Sequence, residues 1–68
     1  MNLVININGT DAIVPDGQSL EGYLVSGKFD LAAVVVELND TIIPQSQWAA
    51  LLLKEGDRLE VVSFVGGG

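Results

Sequence analysis

Apolar residues alternate with period two near both ends of this chain and follow helical spacing once in between. That double switch limits the fold more than any other feature. Leu3, Ile5 and Ile7 alternate with Asn2, Val4, Asn6 and Asn8, the pattern of a strand with one buried face. Asn8-Gly9 is the dipeptide that best tolerates the positive φ of a hairpin turn. Residues 12–14 read as a short return strand, and Pro15-Asp16-Gly17 stops it. The chain opens on a hairpin.

The period then changes. Ser19 is placed to cap a helix, and Glu21 falls in the first turn, where the helix dipole favours a negative charge. Leu20, Tyr23 and Leu24 follow helical spacing, and Gly27 suits the left-handed position just past a helix end. Gly22 within this segment costs up to about 1 kcal/mol relative to alanine, so the helix needs tertiary packing to persist. Val34-Val35-Val36-Glu37-Leu38 is a β-branched run that reads as a strand and ends at the turn signal Asn39-Asp40. Thr41-Ile42-Ile43 is a brief strand halted by Pro44, and Ser46 is positioned to cap one helical turn carrying Trp48. After the polar turn Lys54-Glu55-Gly56-Asp57, residues 58–64 form the last strand. The order β-β-α-β-β-β fits an α+β sheet with one helix across one face; a small β-barrel offers the helix no place.

The core must carry this fold unaided. With 68 residues the chain has room for one domain. A domain of that size buries only about 60% of the surface its unfolded chain exposes. There is no cysteine and no histidine, which excludes disulfide staples and a Cys/His zinc site. Apolar residues make up 49% of the chain, enough to build a core. The same absences remove histidine bases, cysteine nucleophiles and serine triads, so the chain by itself is not expected to be an enzyme. Nine acidic against three basic residues give a net charge of -6, which repels nucleic-acid phosphates and anionic lipid. The longest apolar runs, 31–36 and 48–53, fall far short of the roughly 18 residues of a spanning helix. Asn2 follows Met1 with no basic segment, so no signal peptide is expected and the location is read as cytoplasmic.

Local motifs add little chemistry. Gly22 to Lys28 match a GxxxxGK phosphate-loop core, but Phe29 stands where a Ser or Thr must hold magnesium, and the segment reads as the end of a helix. The carboxylates are scattered without calcium-loop spacing, so no metal site is expected. Trp48 and Tyr23 lack the basic groove that base stacking requires and are read as core or rim residues. In the last strand Leu59 and Val61 point one way and Val62 and Phe64 the other. The outward pair, with Val4 on the same face if the strands adjoin, is a candidate patch for docking partners.

Gly66-Gly67-Gly68 is the one low-complexity segment. With glycine at about 7% of residues, three at a fixed place arise by chance about 3 times in 10,000. We read 1–65 as one domain and 66–68 as a flexible tail. Glycines without Cβ let a backbone pass a narrow channel, and a tail from Val65 reaches at most about 14 Å. Its reactive group would be a terminal carboxylate on Gly68, which needs activation by another protein.

Asn8-Gly9, Val14-Pro15-Asp16-Gly17, Ser19-Leu20, Val36 through Leu38 before Asn39, Ile43-Pro44 with Trp48, Gly56-Asp57 and Phe64-Val65-Gly66-Gly67-Gly68 together resemble, in order and spacing, the ThiS family of sulfur carrier proteins. The resemblance implies a ubiquitin-like β-grasp fold, with a mixed five-stranded sheet whose first and last strands are central and parallel. It also implies that Gly68 is adenylated by a ThiF-type enzyme using ATP and magnesium, and that a sulfur donor protein then converts it to a thiocarboxylate. A ThiG-type thiazole synthase would take the sulfur for the thiazole of thiamine. Gly66 and Gly67 would give the tail access, and Val4, Val62 and Phe64 would dock the partners. The chain itself would bind no cofactor. The alternatives are a carrier for another pathway, such as the molybdopterin type (MoaD), and a ubiquitin-like interaction module that carries nothing.

Overall fold

The computed structural model describes residues 1–64 of the chain. Two hairpins are joined through one long strand and one helix. β1 (Asn2–Ile7) and β2 (Thr10–Pro15) form the first hairpin, α1 (Leu20–Ser26) follows, and β3 (Val34–Leu38) and β4 (Thr41–Ile42) form the second. A short 3-10 turn over Gln45–Gln47 leads on toward β5 (Arg58–Ser63). The sheet order is β2-β1-β5-β3-β4. β1 and β5 are parallel neighbours, while β3 runs antiparallel to both β5 and β4. β5 is the middle strand, so its last residues leave from the centre of the sheet.

Turn chemistry sets the hairpin registers. Asn8 and Gly9 have φ of 49° and 87°, and Asn39 and Asp40 have 50° and 70°. Two consecutive positive-φ residues suit the right-handed twist of the flanking strands. That fixes Ile7 against Thr10 and Leu38 against Thr41, and with them which side chains face the helix.

The helix is too short to stand alone, since isolated helices below about 12 residues are marginal in water. A distant segment holds its N-terminal end, and a local closure holds the other. The Ser19 hydroxyl accepts from the Gly22 amide at 2.9 Å, while the Leu20 and Glu21 amides donate to the carbonyls of Leu51 and Trp48. The orphan donors at the N-terminus are therefore taken up by backbone of the 48–51 segment. At the other end, the Phe29 amide donates to Leu24 and the Lys28 amide to Val25, the paired bonds of a Schellman closure.

The left-handed residue of that closure is Lys28, with φ of 62°, and not Gly27, whose φ is -80°. The helix continues one residue beyond the point where the glycine suggested it would stop. Space around Gly27 is tight: a Cβ there would lie 3.0 Å from the Phe29 ring, which packs against the core. The segment resembling a phosphate loop is thus a helix and its C-terminal closure.

The core lies between the inner sheet face and the helix. Ile5, Val14, Val36, Leu59 and Val61 from the sheet meet Leu20 and Leu24 from the helix, with Trp48 and Leu53 closing one side. Fully burying such a side chain is worth roughly 1.5–3 kcal/mol, so Leu20 and Leu24 supply what the short helix lacks. Trp48 is buried, and its indole N–H donates to the Ile43 carbonyl at 2.9 Å. Ser46 does not cap the turn that leads to Trp48; it lies inside that turn, and Pro44 at the cap position makes no side-chain bond.

Asp57 is the buried charged residue among those described. Its carboxylate accepts from the Lys54 amide at 2.8 Å and the Asn39 side chain at 3.0 Å. It ties the turn before β5 to the β3-β4 turn.

Candidate functional site

The C-terminal half of β5 is the part of the fold from which the glycine segment departs. Gly66, Gly67 and Gly68 lie outside the described residues, as does the proposed boundary at 65. The structure therefore defines the root of that segment.

Both edges of β5 are secured up to that root. On the β3 side the Phe64 amide donates to the Ala33 carbonyl at 2.7 Å, extending the antiparallel pairing one rung past Val34 and Ser63. On the other side β1 ends at Ile7, and the Asn8 side chain takes over. Its Oδ1 accepts from the Val61 amide at 2.9 Å and its Nδ2 donates to the Val61 carbonyl at 3.2 Å. One side-chain amide thus occupies both backbone groups of Val61, as a strand residue would. The sequence marks Asn8 as a turn residue; its bond to Val61, 53 residues away, has no local signal.

Val62 and Phe64 both project outward from this root, 54% and 60% exposed. Val35 sits directly across from Val62 in the register and is half-buried. The three form one apolar cluster. Val35 was hidden in the sequence because a run of three valines shows no alternation.

Val4 faces outward too and lies on the strand beside β5, yet it is not part of this cluster. The parallel register sets Asn6 beside Arg58, so Val62 lies level with a point six residues beyond Val4, about 20 Å along the strands at about 3.3 Å per residue. Val4 instead pairs with the exposed Ile13 across the first hairpin. Its backbone is bound by the turn before β5, through the Glu55 carboxylate and the Gly56 amide. Sharing a face is set by the pleat, whereas sharing a patch depends on a register the sequence does not reveal.

Between the two apolar ends the outer face is polar. Glu37 and Glu60 stand directly opposite each other, and Arg58 reaches away to Asp40, 2.7 Å from its carboxylate. This exposed pair raises the Arg58 pKa, chiefly through the hydrogen bond from its guanidinium, and lowers that of Asp40 for the same reason. Tyr23 is half-buried against the core. Among the described residues no group of three carboxylates lies close enough to hold a metal ion, and no helix is long and apolar enough to cross a membrane.

A five-stranded mixed sheet with parallel β1 and β5 and one helix across its inner face is the ubiquitin-like β-grasp. The crystal structure of the thiamine biosynthesis protein (ThiS) from Geobacter metallireducens superposes with a TM-score of 0.82 at 30% identity, covering 100% of both chains. The solution structure of a thiamine biosynthesis protein from the same organism gives 0.78 at 31% identity, covering 100% of this chain and 88% of that one. The chain belongs to the ThiS family, whose model matches residues 2–68. It is 38% identical over 64 residues to a thiazole synthase of Magnetococcus marinus, matching 94% of this chain and 20% of that protein. It is 37% identical over 67 residues to the uncharacterized protein ycf40 of Pyropia yezoensis, matching 98% of this chain and 94% of that one. The chain therefore spans about one fifth of the length of the thiazole synthase it matches.

Proposed function

We propose that this protein is the sulfur carrier of thiazole formation in thiamine biosynthesis, acting as a protein cosubstrate through Gly68. One observation carries the reading: the ThiS family match extends from residue 2 through the three glycines to residue 68. The likeness of this chain to a stretch of a thiazole synthase supports a ThiG-type synthase as the acceptor.

In this reading the chain supplies a carboxylate and no catalytic side chain. The Gly68 carboxylate attacks the α-phosphorus of ATP on a ThiF-type partner with magnesium, and pyrophosphate leaves. The terminal sulfur of a donor persulfide then attacks the acyl carbon and expels AMP. A second thiol cleaves the resulting S–S bond and frees the thiocarboxylate. Gly66 and Gly67 carry no Cβ, so the backbone can enter a narrow active-site channel. Val62 and Phe64, at the root of the tail, dock the partner, while Val4 offers a separate contact at the far end of the face.

The test is reconstitution with the adenylating enzyme, ATP, magnesium and a persulfide donor, followed by addition of either a thiazole synthase or a molybdopterin synthase. Turnover by the thiazole synthase alone is expected. Turnover by the molybdopterin enzyme instead would reassign the pathway, loading of a variant lacking Gly68 would move the attachment site off that residue, and failure of wild type to load would remove the carrier assignment.

A further inference from the structure

The outer face of β3 and β5 carries three successive cross-strand rungs leading toward the glycine segment. Glu37 lies opposite Glu60 and Val35 opposite Val62. The hydrogen bond from Phe64 to Ala33 makes the third rung. Rungs on one face are about 7 Å apart along the strands, so two carboxylates stand about one rung below an apolar patch and two rungs below Phe64.

The glutamate rung works against the fold. Like charges directly opposite on adjacent strands destabilise a sheet. Neither glutamate has a salt bridge or a side-chain hydrogen bond among the described residues; the nearby Arg58 is held by Asp40 and adds only a weaker, longer-range attraction to Glu60. A pair compensated only in part, on the Glu60 side, can be neutralised further by a cation from outside. The apolar rung beside it gives such a contact an anchor.

Chain length says how close a partner must come. Residues 65–68 reach at most about 14 Å beyond Phe64, whereas a protein interface of ordinary size covers about 800 Å² on each side. A protein that grips Gly68 is therefore brought close to the Val62 and Phe64 rungs, with Glu37 and Glu60 one rung beyond Val62 on the same face. Resting on the carrier reading above, we propose that Glu37 and Glu60 form the charge-selective part of the docking surface for the adenylating partner. That partner presents an apolar centre with an arginine or lysine facing the glutamate rung.

The test exploits opposite effects on folding and binding. Glu37→Lys turns the cross-strand repulsion into an attraction, so the variant is expected to be at least as stable as wild type in urea. Its KM in the adenylation assay, read by pyrophosphate release, is expected to rise about tenfold with little change in kcat, because a like charge now faces the partner's cation. Glu60→Lys should behave in the same way. The wild-type KM should rise with salt, and Glu37→Gln with Glu60→Gln should flatten that dependence. An unchanged KM for the lysine variants in a reaction that adenylates wild type would overturn the proposal. So would an effect confined to sulfur transfer to the synthase, which would assign the surface to that enzyme. Failure of wild type itself to be adenylated would instead strike the carrier reading.

Discussion

Replacing Asn8 separates two contributions that one residue makes to the root of the glycine segment. Its backbone adopts a left-handed φ of 49°, and its side chain makes two hydrogen bonds to Val61. Asn8→Gly keeps the turn geometry and deletes the side chain. Two bonds at about 0.5–1.5 kcal/mol each give an expected loss of about 1–3 kcal/mol. Asparagine tolerates the left-handed region, so glycine relieves little strain there. Asn8→Ala loses the same bonds and must also hold a Cβ at positive φ, adding about 1 kcal/mol. In urea, with an m-value of about 1 kcal/mol/M for so small a domain, the glycine variant should unfold about 1–3 M earlier, and the alanine variant earlier still. Hydrogen exchange should show the Val61 amide losing protection while the Leu59 and Val36 amides keep theirs relative to global stability. A glycine variant with the wild-type midpoint and a protected Val61 amide would refute the claim that the side chain stands in for a strand.

Other substitutions probe the remaining joints. Lys28→Gly should raise stability by about 0.5–1 kcal/mol, because Lys28 holds the left-handed position that glycine adopts without a Cβ penalty; a loss in thermal unfolding would contradict this. Gly27→Ala should lower stability, since its Cβ meets the Phe29 ring at 3.0 Å; an unchanged Tm would contradict that contact. Trp48→Phe should cost about 1–3 kcal/mol, from the unpaired Ile43 carbonyl and the smaller ring, read by chemical denaturation. Asp40 has a lowered folded pKa from Arg58, so its contribution is present above the unfolded carboxylate range and lost as pH falls through the folded value. The stability gap between wild type and Asp40→Asn should thus be small and level near neutral pH, then close in acid and in high salt. A gap that widens in acid would contradict the pairing.

The elements were legible in the sequence wherever a local rule determined them. Asn8-Gly9 and Asn39-Asp40 specified both hairpins, Ser19 capped the helix as its position indicated, and alternation in β1 and β5 identified the inner faces. Long-range register decided what was not legible. Val4 and Val62 share a face on adjacent strands, yet the offset of Asn6 against Arg58 keeps them apart. Glu37 and Glu60 look like scattered carboxylates until β3 pairs with β5. The closure at Lys28 departed from the glycine rule: the left-handed residue is Lys28, and Gly27 stands one residue earlier, close to the Phe29 ring. Glycine's role at Gly66, Gly67 and Gly68 rests on the sequence and the family match.

The central claim is that sulfur rides on the main chain of residue 68. Intact-mass and fragmentation mass spectrometry of the full chain, after reaction with a ThiF-type enzyme, ATP, magnesium and a persulfide donor, tests it most directly. A gain equal to replacing one oxygen by one sulfur is expected, confined to C-terminal fragments containing Gly68 and absent when ATP is omitted. An unchanged mass under conditions that load another ThiS protein, or a gain placed on any other residue, would contradict it.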